Sequence, residues 1–411
     1  MPSHIHVVGA GLSGLSAAIA LIQAGKAVTI IEAGPAAGGR CRSYFDRELG
    51  LRIDNGNHLL LSGNRAVFTY LDTIGAAQRI AMPAKPMFPF IDLRDGCRWV
   101  LRPNLGRIPW WVLSRGRRTP GTRPSDHLGL LKLRHNESDA AIGALVRHDT
   151  LYRRLLQPIA VAALNTPADE GVVRLLSAVM RETLFQGGRA CIPAVPRTGL
   201  SESLVDPAIA WLRARGATVV TGRRVAALRG NGNGSVELST TEGPMKADAV
   251  VLAVPPWIVS DLLPGQMCPT AFQAILNIHF RLEADPAPPG FVGIVGGTAE
   301  WVFVKKGHVS VTISAANHMV DQEAETIAHA VWPDVCAALR LPNMPMPAWR
   351  VVKERRATIA ATAAQERLRP GPPTRLANVV LAGDWTDTGL PGTIEGAIRS
   401  GRTAAEFLQA A

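Results

Sequence analysis

Apolar and polar positions change period several times over the first thirty residues. Ile5-His6-Val7-Val8 is a short β-rich run, and Gly9-Ala10-Gly11-Leu12-Ser13-Gly14 interrupts it. Leu15 to Gln23 has helical character and is stopped by Gly25, after which Ala27-Val28-Thr29-Ile30-Ile31 runs as a strand into Glu32. The pattern predicts strand, glycine turn, helix, strand, acid. Val7 to Gly25 carries no charge and resembles a signal segment or membrane helix in length. No basic stretch precedes it and three glycines stand near its start, so it reads as buried strand, turn and helix. No other run is long enough to span a bilayer.

Regular alternation returns later. Gly199 to Arg215 reads as a helix and Ala217 to Val220 as a strand. Ser235 to Thr241 and Ala249 to Val254 read as further strands, with Gly230-Asn231-Gly232-Asn233-Gly234 as a hairpin turn. Near the end, Asn378 to Ala382 is a buried-type strand that meets Gly383-Asp384, and a helix begins around Gly392-Thr393-Ile394. Residues 76–190 and 257–365 are less regular and rich in proline. Within them Phe88-Pro89-Phe90-Ile91, Phe291-Val292-Gly293-Ile294 and Trp301-Val302-Phe303-Val304 are either walls of an apolar tunnel or ordinary sheet core.

The first turn carries the clearest chemistry. Gly9 permits the tight bend, Gly11 lets backbone approach a pyrophosphate, and Gly14 lets the helix lie close to the strand. The helix N-terminus offers N–H groups and a positive dipole end to phosphates, with Ser13 in the glycine turn that leads into it. Glu32 stands 18 positions after Gly14 and suits ribose hydroxyls; its charge disfavours a 2′-phosphate. A second βαβ unit does not follow. Ala33-Gly34-Pro35-Ala36-Ala37-Gly38-Gly39-Arg40 delivers a glycine pair and an arginine that can neutralise a pyrophosphate. Asp54-Asn55-Gly56-Asn57-His58-Leu59-Leu60-Leu61 is a polar turn entering an apolar segment, a lining suited to a planar ring with polar edges. At the far end Asp384 can take a ribityl hydroxyl, and the helix from Gly392, Thr393 and Ile394 can face the electron-rich edge of a flavin. NAD has no ring needing that second helix, so the cofactor expected is FAD.

Composition adds limits. The chain has 411 residues, 47% of them hydrophobic and 19% charged, which implies a globular protein of about two domains. Net charge is +11, so an anionic partner is one reading and an arginine-rich proteome the other. The five cysteines are scattered without a CxxC pair and read as reduced thiols of a cytoplasmic protein. Residues 94–124 hold Arg94, Arg98, Arg102, Arg107, Arg115, Arg117, Arg118 and Arg123 against the single acid Asp95, with Trp99, Trp110 and Trp111 among them. That mix fits peripheral attachment to an anionic membrane at the inner face of the cell membrane, or a solvated loop. No nucleic-acid recognition motif accompanies it, and nucleic acid is not an expected partner.

The GxGxxG with Glu32, Gly38-Gly39-Arg40 and the ending GDW…GTIEGA resemble the flavin-containing amine oxidase and phytoene desaturase superfamily. Within it the chain is similar to the squalene-associated FAD-dependent enzymes, the hydroxysqualene dehydroxylase family. That resemblance rests on Asp54 to Leu60, Ala163-Leu164-Asn165-Thr166-Pro167, Lys353-Glu354-Arg355-Arg356-Ala357-Thr358 and Gly389 to Ala397, and covers nearly the whole chain. Asn57 stands where relatives usually carry Gln. The fold implied is α/β: a Rossmann-like FAD-binding domain of the two-dinucleotide-binding type, with a second α+β substrate domain, as in amine oxidases. Residues 1–75, 191–256 and 366–411 then belong to the FAD-binding domain, and 76–190 and 257–365 to the substrate domain. The resemblance places Val225 at the adenine through its backbone; a core valine is the other reading.

No metal cluster or Ser/His/Asp signature appears, so the flavin is expected to carry the chemistry. The resemblance implies reductive removal of the allylic hydroxyl of hydroxysqualene, a hydrophobic isoprenoid, to give squalene, with an unidentified electron donor. Departure of hydroxide in an apolar site needs an acid, and His58 is the candidate, with Asp54 to orient it. Three alternatives stay open: an isoprenoid desaturase, an amine oxidase, and a non-enzymatic lipid-binding relative. An amine oxidase would want an aromatic cage, and the only tyrosines are Tyr44, Tyr70 and Tyr152.

Overall fold

The computed structural model describes residues 4–145, 149–230, 234–285, 288–342 and 344–410. His4–Val8 (β1), Ala27–Ile31 (β2), Thr218–Val220 (β3), Ala249–Leu252 (β4) and Val379–Leu381 (β5) form one parallel sheet in the order β3-β2-β1-β4-β5. β4 and β5 are buried throughout, as strands covered on both faces must be. Between β3 and β4 the chain makes an antiparallel meander of Val225–Gly230, Val236–Thr240 and Gly243–Ala247. The hairpin turn expected over 230–234 falls, at 231–233, outside the described residues.

Helix α1 spans Leu12–Gln23, three residues earlier than its apolar period suggests. Glycine is a poor helix former, and the sequence pattern therefore starts the helix after Gly14. Packing overrides that preference: a Cβ on Gly14 would stand 2.0 Å from the Gly9 carbonyl oxygen, so only glycine lets this turn press against the strand end. The final helix α2, Ile394–Ala410, crosses α1 closely. A Cβ on Gly401 would lie 2.0 Å from Ser13 O, and Ser16 Oγ donates to Ile398 O at 2.8 Å. The helix expected over 199–215 is divided into wider turns at Ser201–Val205 and a regular helix at Asp206–Arg213, because Pro207 lacks the N–H that a continuous ladder needs.

The second sheet has seven strands. Their order is Trp349–Ile359, Phe272–Phe280, His308–Ile313, Trp301–Lys305, Phe291–Val295, Phe88–Asp92 and Cys97–Leu101. Alternation gives it two unlike faces. Ile278, Phe280, Val302 and Val311 face the helix Ala324–Leu339 through Ile327, Val331 and Val335. On the opposite face Phe90, Trp99, Phe291, Trp301 and Phe303 join a helical layer containing Leu133, Leu155 and Leu176. Further along that same face stand buried Asn277, His279, His308, Ser310 and Thr312.

The three aromatic runs are thus strands, and their rings are sheet core. Two of the tryptophans expected at a membrane are core as well. Trp99 stacks on Phe90 at 5.3 Å, and Trp111 is buried edge-on to His127. Trp110 alone of the three is exposed, at 62%. All five cysteines are free.

Replacing Gly401 with Ala should force α1 and α2 apart and cost about 1–3 kcal/mol, the usual range for overpacking. Thermal or denaturant unfolding reads this directly. A variant as stable as the parent would mean that the helices separate without penalty.

Candidate active site

The glycine turn is built as its spacing requires. Gly9 has φ +102°, and its N–H donates to Ile31 O at 2.8 Å, tying the end of β1 to β2. A Cβ on Gly11 would meet nothing within 4 Å: this is open space above the first turn of α1. Over it lies the second glycine pair. Gly38 N donates to Ala10 O at 2.8 Å, Gly38 and Gly39 both have positive φ, and a Cβ on Gly39 would come within 3.4 Å of Gly11 Cα. Glu32 accepts from Ala10 N at 2.8 Å and Gly34 N at 2.7 Å, which fixes the loop through the exposed Ala33. Each carboxylate oxygen keeps a lone pair for a ribose hydroxyl. Val225 is buried in one cluster with Val8 and Ile31, at the strand ends beside Glu32.

The far end of the chain closes on the same place. Arg40 donates to Asp384 Oδ1 and to Ala357 O, both at 2.5 Å, so the GGR arginine, the terminal aspartate and the 353–358 segment converge. Gly383 N donates to Ser400 Oγ at 2.9 Å, on α2 itself. A Cβ on Gly392 would come within 3.1 Å of both Asp384 Oδ2 and Thr358 Cβ. Thr393 Oγ1 accepts from Gly396 N at 3.1 Å and so caps the start of α2, directly before Ile394. Glu395 is turned away and accepts from Ala66 N and Val67 N, capping another helix.

These features fit a dinucleotide flavin. The space a Cβ would fill at Gly11, the two helix N-termini and the Arg40 guanidinium make a cradle for a pyrophosphate. Asp384 lies beside it for a hydroxyl, and α2 points its positive end into the crevice.

The 54–58 turn joins this crevice to the second sheet. Gly56 packs against Asn277, where a Cβ would lie 3.2 Å from Nδ2. Asn57 Nδ2 donates to Ser310 Oγ at 2.7 Å and Thr312 Oγ1 at 3.0 Å. The position that departs from relatives therefore pins the turn to the sheet. Asp54 does not orient His58. One of its oxygens accepts from Ser43 Oγ at 2.6 Å and Leu200 N at 2.9 Å; the other pairs with Lys305 Nζ at 2.6 Å. Burial would raise the Asp54 carboxyl, but the Lys305 charge and these bonds outweigh it and hold it below the ordinary carboxylate value. Burial also pushes the His58 imidazole down to about 4, with Arg40 and Lys305 adding to the effect against Asp54. His58 is therefore uncharged at neutral pH and carries only the single N–H of a neutral imidazole.

Sequence reasoning missed Lys305, Asn277, His279 and His308. Strand alternation could have placed the last three on one face, but not opposite Asp54. It also missed Arg369, whose buried guanidinium donates to Thr386 O, Asp384 O and Leu390 O and holds the 384–390 loop. No group of His, Cys, Asp and Glu suited to a metal occurs among the described residues.

Gly11→Val separates folding from cofactor binding. Nothing crowds the new side chain in the protein, so stability should remain near that of the parent. The side chain would occupy the pyrophosphate path, and the purified variant should retain under a tenth of its flavin absorbance after desalting. A full complement of flavin would remove Gly11 from the site.

A sequence model of the family described as flavin containing amine oxidoreductase matches residues 12–284 and 304–408. Hydroxysqualene dehydroxylase of Rhodopseudomonas palustris is 46% identical to this chain, covering 100% of it and 99% of the relative. The protein of that name from Zymomonas mobilis is 45% identical, covering 98% of each. Among solved structures, wild-type putrescine oxidase bound to putrescine superposes with a TM-score of 0.73 at 15% identity, covering 100% of both chains, which speaks to fold alone. The chain belongs to the flavin-containing amine oxidoreductase family and, within it, to the hydroxysqualene dehydroxylases.

Proposed function

We propose that this protein is an FAD-dependent oxidoreductase that removes the hydroxyl of hydroxysqualene reductively, giving squalene. The observation that carries this reading is full-length kinship at about 45% identity with hydroxysqualene dehydroxylases, in a chain whose flavin cradle is intact. Bound FAD in its reduced form supplies the hydride that replaces the hydroxyl.

The chain does the rest. Gly9, Gly11, Ser13 and Gly14 seat the pyrophosphate with Gly39 and Arg40, and Glu32 and Ala33 hold the ribose. Asp384 and Gly383 take the ribityl chain, while Gly392, Thr393 and Ile394 place the positive end of α2 at the ring. Gly56, Asn57 and His58 flank the ring from the sheet side. The aromatic half of the second sheet keeps water from the reacting carbon. His58 donates to the leaving oxygen through the N–H of a neutral imidazole, and a replacement proton must reach its other ring nitrogen from elsewhere. An amine oxidase is less well supported. Tyr70 donates to Leu204 O beside the parallel sheet and Tyr152 lies in the helical core, so neither frames a cage at the flavin.

We also propose that an anionic membrane surface is where this isoprenoid is met. Ile108, Trp110, Leu113, Leu128 and Leu131 are each more than half exposed. Arg107, Arg115, Arg117 and Lys132 stand exposed among them. Large apolar side chains flanked by cations suit insertion at a lipid headgroup layer. Arg94, Arg98 and Arg118 belong to the fold instead: they pair with Asp92, with the Ala338 carbonyl and with the Thr122 carbonyl. No helix among the described residues is long and apolar enough to cross a membrane.

Anaerobic enzyme with photoreduced flavin should be reoxidised by hydroxysqualene and release squalene, with deuterium at flavin N5 appearing in the product. Reduced enzyme that stays reduced would sink the assignment.

Vesicles of phosphatidylglycerol should bind the protein, and binding should weaken with salt. Trp110→Ser together with Arg115→Ser and Arg117→Ser should lower it roughly tenfold or more, since each basic residue near such a surface is worth about 1 kcal/mol. Equal binding to neutral phosphatidylcholine, indifferent to these changes, would exclude the surface.

A further inference from the structure

Behind the 54–58 turn the inner face of the second sheet is polar where a core is ordinarily apolar. His279, His308, Asn277, Ser310 and Thr312 are all buried there. The Asp54–Lys305 pair closes the group from the opposite side. The two imidazoles sit 5.6 Å apart between ring centres, and none of their four ring nitrogens makes a hydrogen bond of ordinary geometry among the described residues, although a backbone group of Asp54 bears on His279 and one of Lys306 on His308. Each unsatisfied buried group costs on the order of 1–3 kcal/mol, and nearly all such groups in folded proteins find partners, in protein or in water.

Two leucines would fill this place more stably. The imidazoles stay on the path between the surface and the flavin-side turn. His308 follows the Lys306-Gly307 turn, where the sheet meets solvent. His279 is next inward, with Lys305 and Asp54 bearing on it. Asp54 begins the turn that ends at His58.

We propose that His308, His279, Lys305 and Asp54 form a hydrated proton relay from the 305–308 turn to His58, supplying the proton that the leaving hydroxyl requires. The proposal rests on the function given above. The C–O bond breaks and its electron pair leaves with oxygen. That oxygen takes the N–H proton of neutral His58 and departs as water while the relay delivers a proton to the other ring nitrogen, so His58 stays a neutral imidazole. The hydride that replaces the hydroxyl would be supplied by reduced FAD under the function proposed above, and solvent returns one proton to His308. Neutral imidazoles suit this role, since each can accept at one nitrogen while donating at the other. Burial drives His279 down to about 3 and His308 to about 4, with the Lys305 charge contributing to both, so the rings pass protons without retaining them.

His279→Ala and His308→Ala test this in the holoenzyme, read against flavin content, KM and thermal stability. Reoxidation of reduced enzyme by hydroxysqualene should slow by about 10²-fold or more, the typical worth of proton transfer, with flavin content and KM nearly unchanged. Added imidazole should restore part of the rate. His308→Leu should be at least as stable as the parent, equally slow, and not rescued. Full rate in these variants, or loss only in proportion to flavin or KM, would overturn the relay. A wild-type enzyme that hydroxysqualene does not reoxidise would overturn the function itself, and the two failures are therefore distinct. Histidine nitrogen NMR of the protein without turnover gives a second readout should a variant fail to fold. Because Lys305 lowers both rings, Lys305→Gln should raise the titration of His279 and His308 together. Two rings indifferent to Lys305 would also overturn the proposal.

Discussion

The close crossing of α1 and α2 sets the rest of the site. With Ser13 O lying where a Cβ of Gly401 would stand, the two helices approach to backbone contact and are held by Ser16 on Ile398. Their N-termini are thereby held on the same side of the cofactor sheet, so two positive dipole ends, far apart in the chain, are available to the flavin proposed above. The strand loop ending at Gly383 is tied to α2 by Ser400, and the loop beyond it is clamped by Arg369. That guanidinium is almost wholly buried beside Glu366, so a flexible glycine-rich segment becomes a fixed platform for Asp384. Arg40 then bridges the platform to the second glycine pair, Gly38-Gly39.

A second constraint acts on the opposite wall. The inner face of the seven-stranded sheet is divided lengthwise into an aromatic half and a polar half. The aromatic half packs against the helical layer and excludes water. The polar half is costly to bury, and only part of that cost is met by Asn57 on Ser310 and Thr312 and by Lys305 on Asp54. A fold that retains unsatisfied imidazoles next to a reactive crevice gives up stability there, as functional sites commonly do.

The difference between legible and hidden features follows sequence separation. Strand, turn, helix and acid over the first 32 residues are local, and their geometry came out as their spacing implies, apart from the earlier start of α1. Glu32 was legible as a ribose ligand, but not as the acceptor for Ala10 and Gly34. Residues 94–124 were legible only as a composition. Trp99 and Trp111 are as apolar as Trp110, and nothing local distinguishes a tryptophan that stacks on Phe90 from one that faces solvent. His58 looked like a proton donor because its chemistry permits it; burial, which no local pattern reports, makes it neutral.

By itself the chain determined the individual strands of the cofactor sheet, the two glycine turns and the second helix N-terminus, because each is encoded by residues within a few positions of one another. Kinship with hydroxysqualene dehydroxylases was legible for the same reason, carried by short motifs. Tertiary structure alone decided that Asp54 meets Lys305, 251 positions away, and that Asn57 meets Ser310. Periodicity states which face of a strand a side chain occupies. Which other face it meets depends on how two sheets and their loops pack, and that is settled only when the whole core closes.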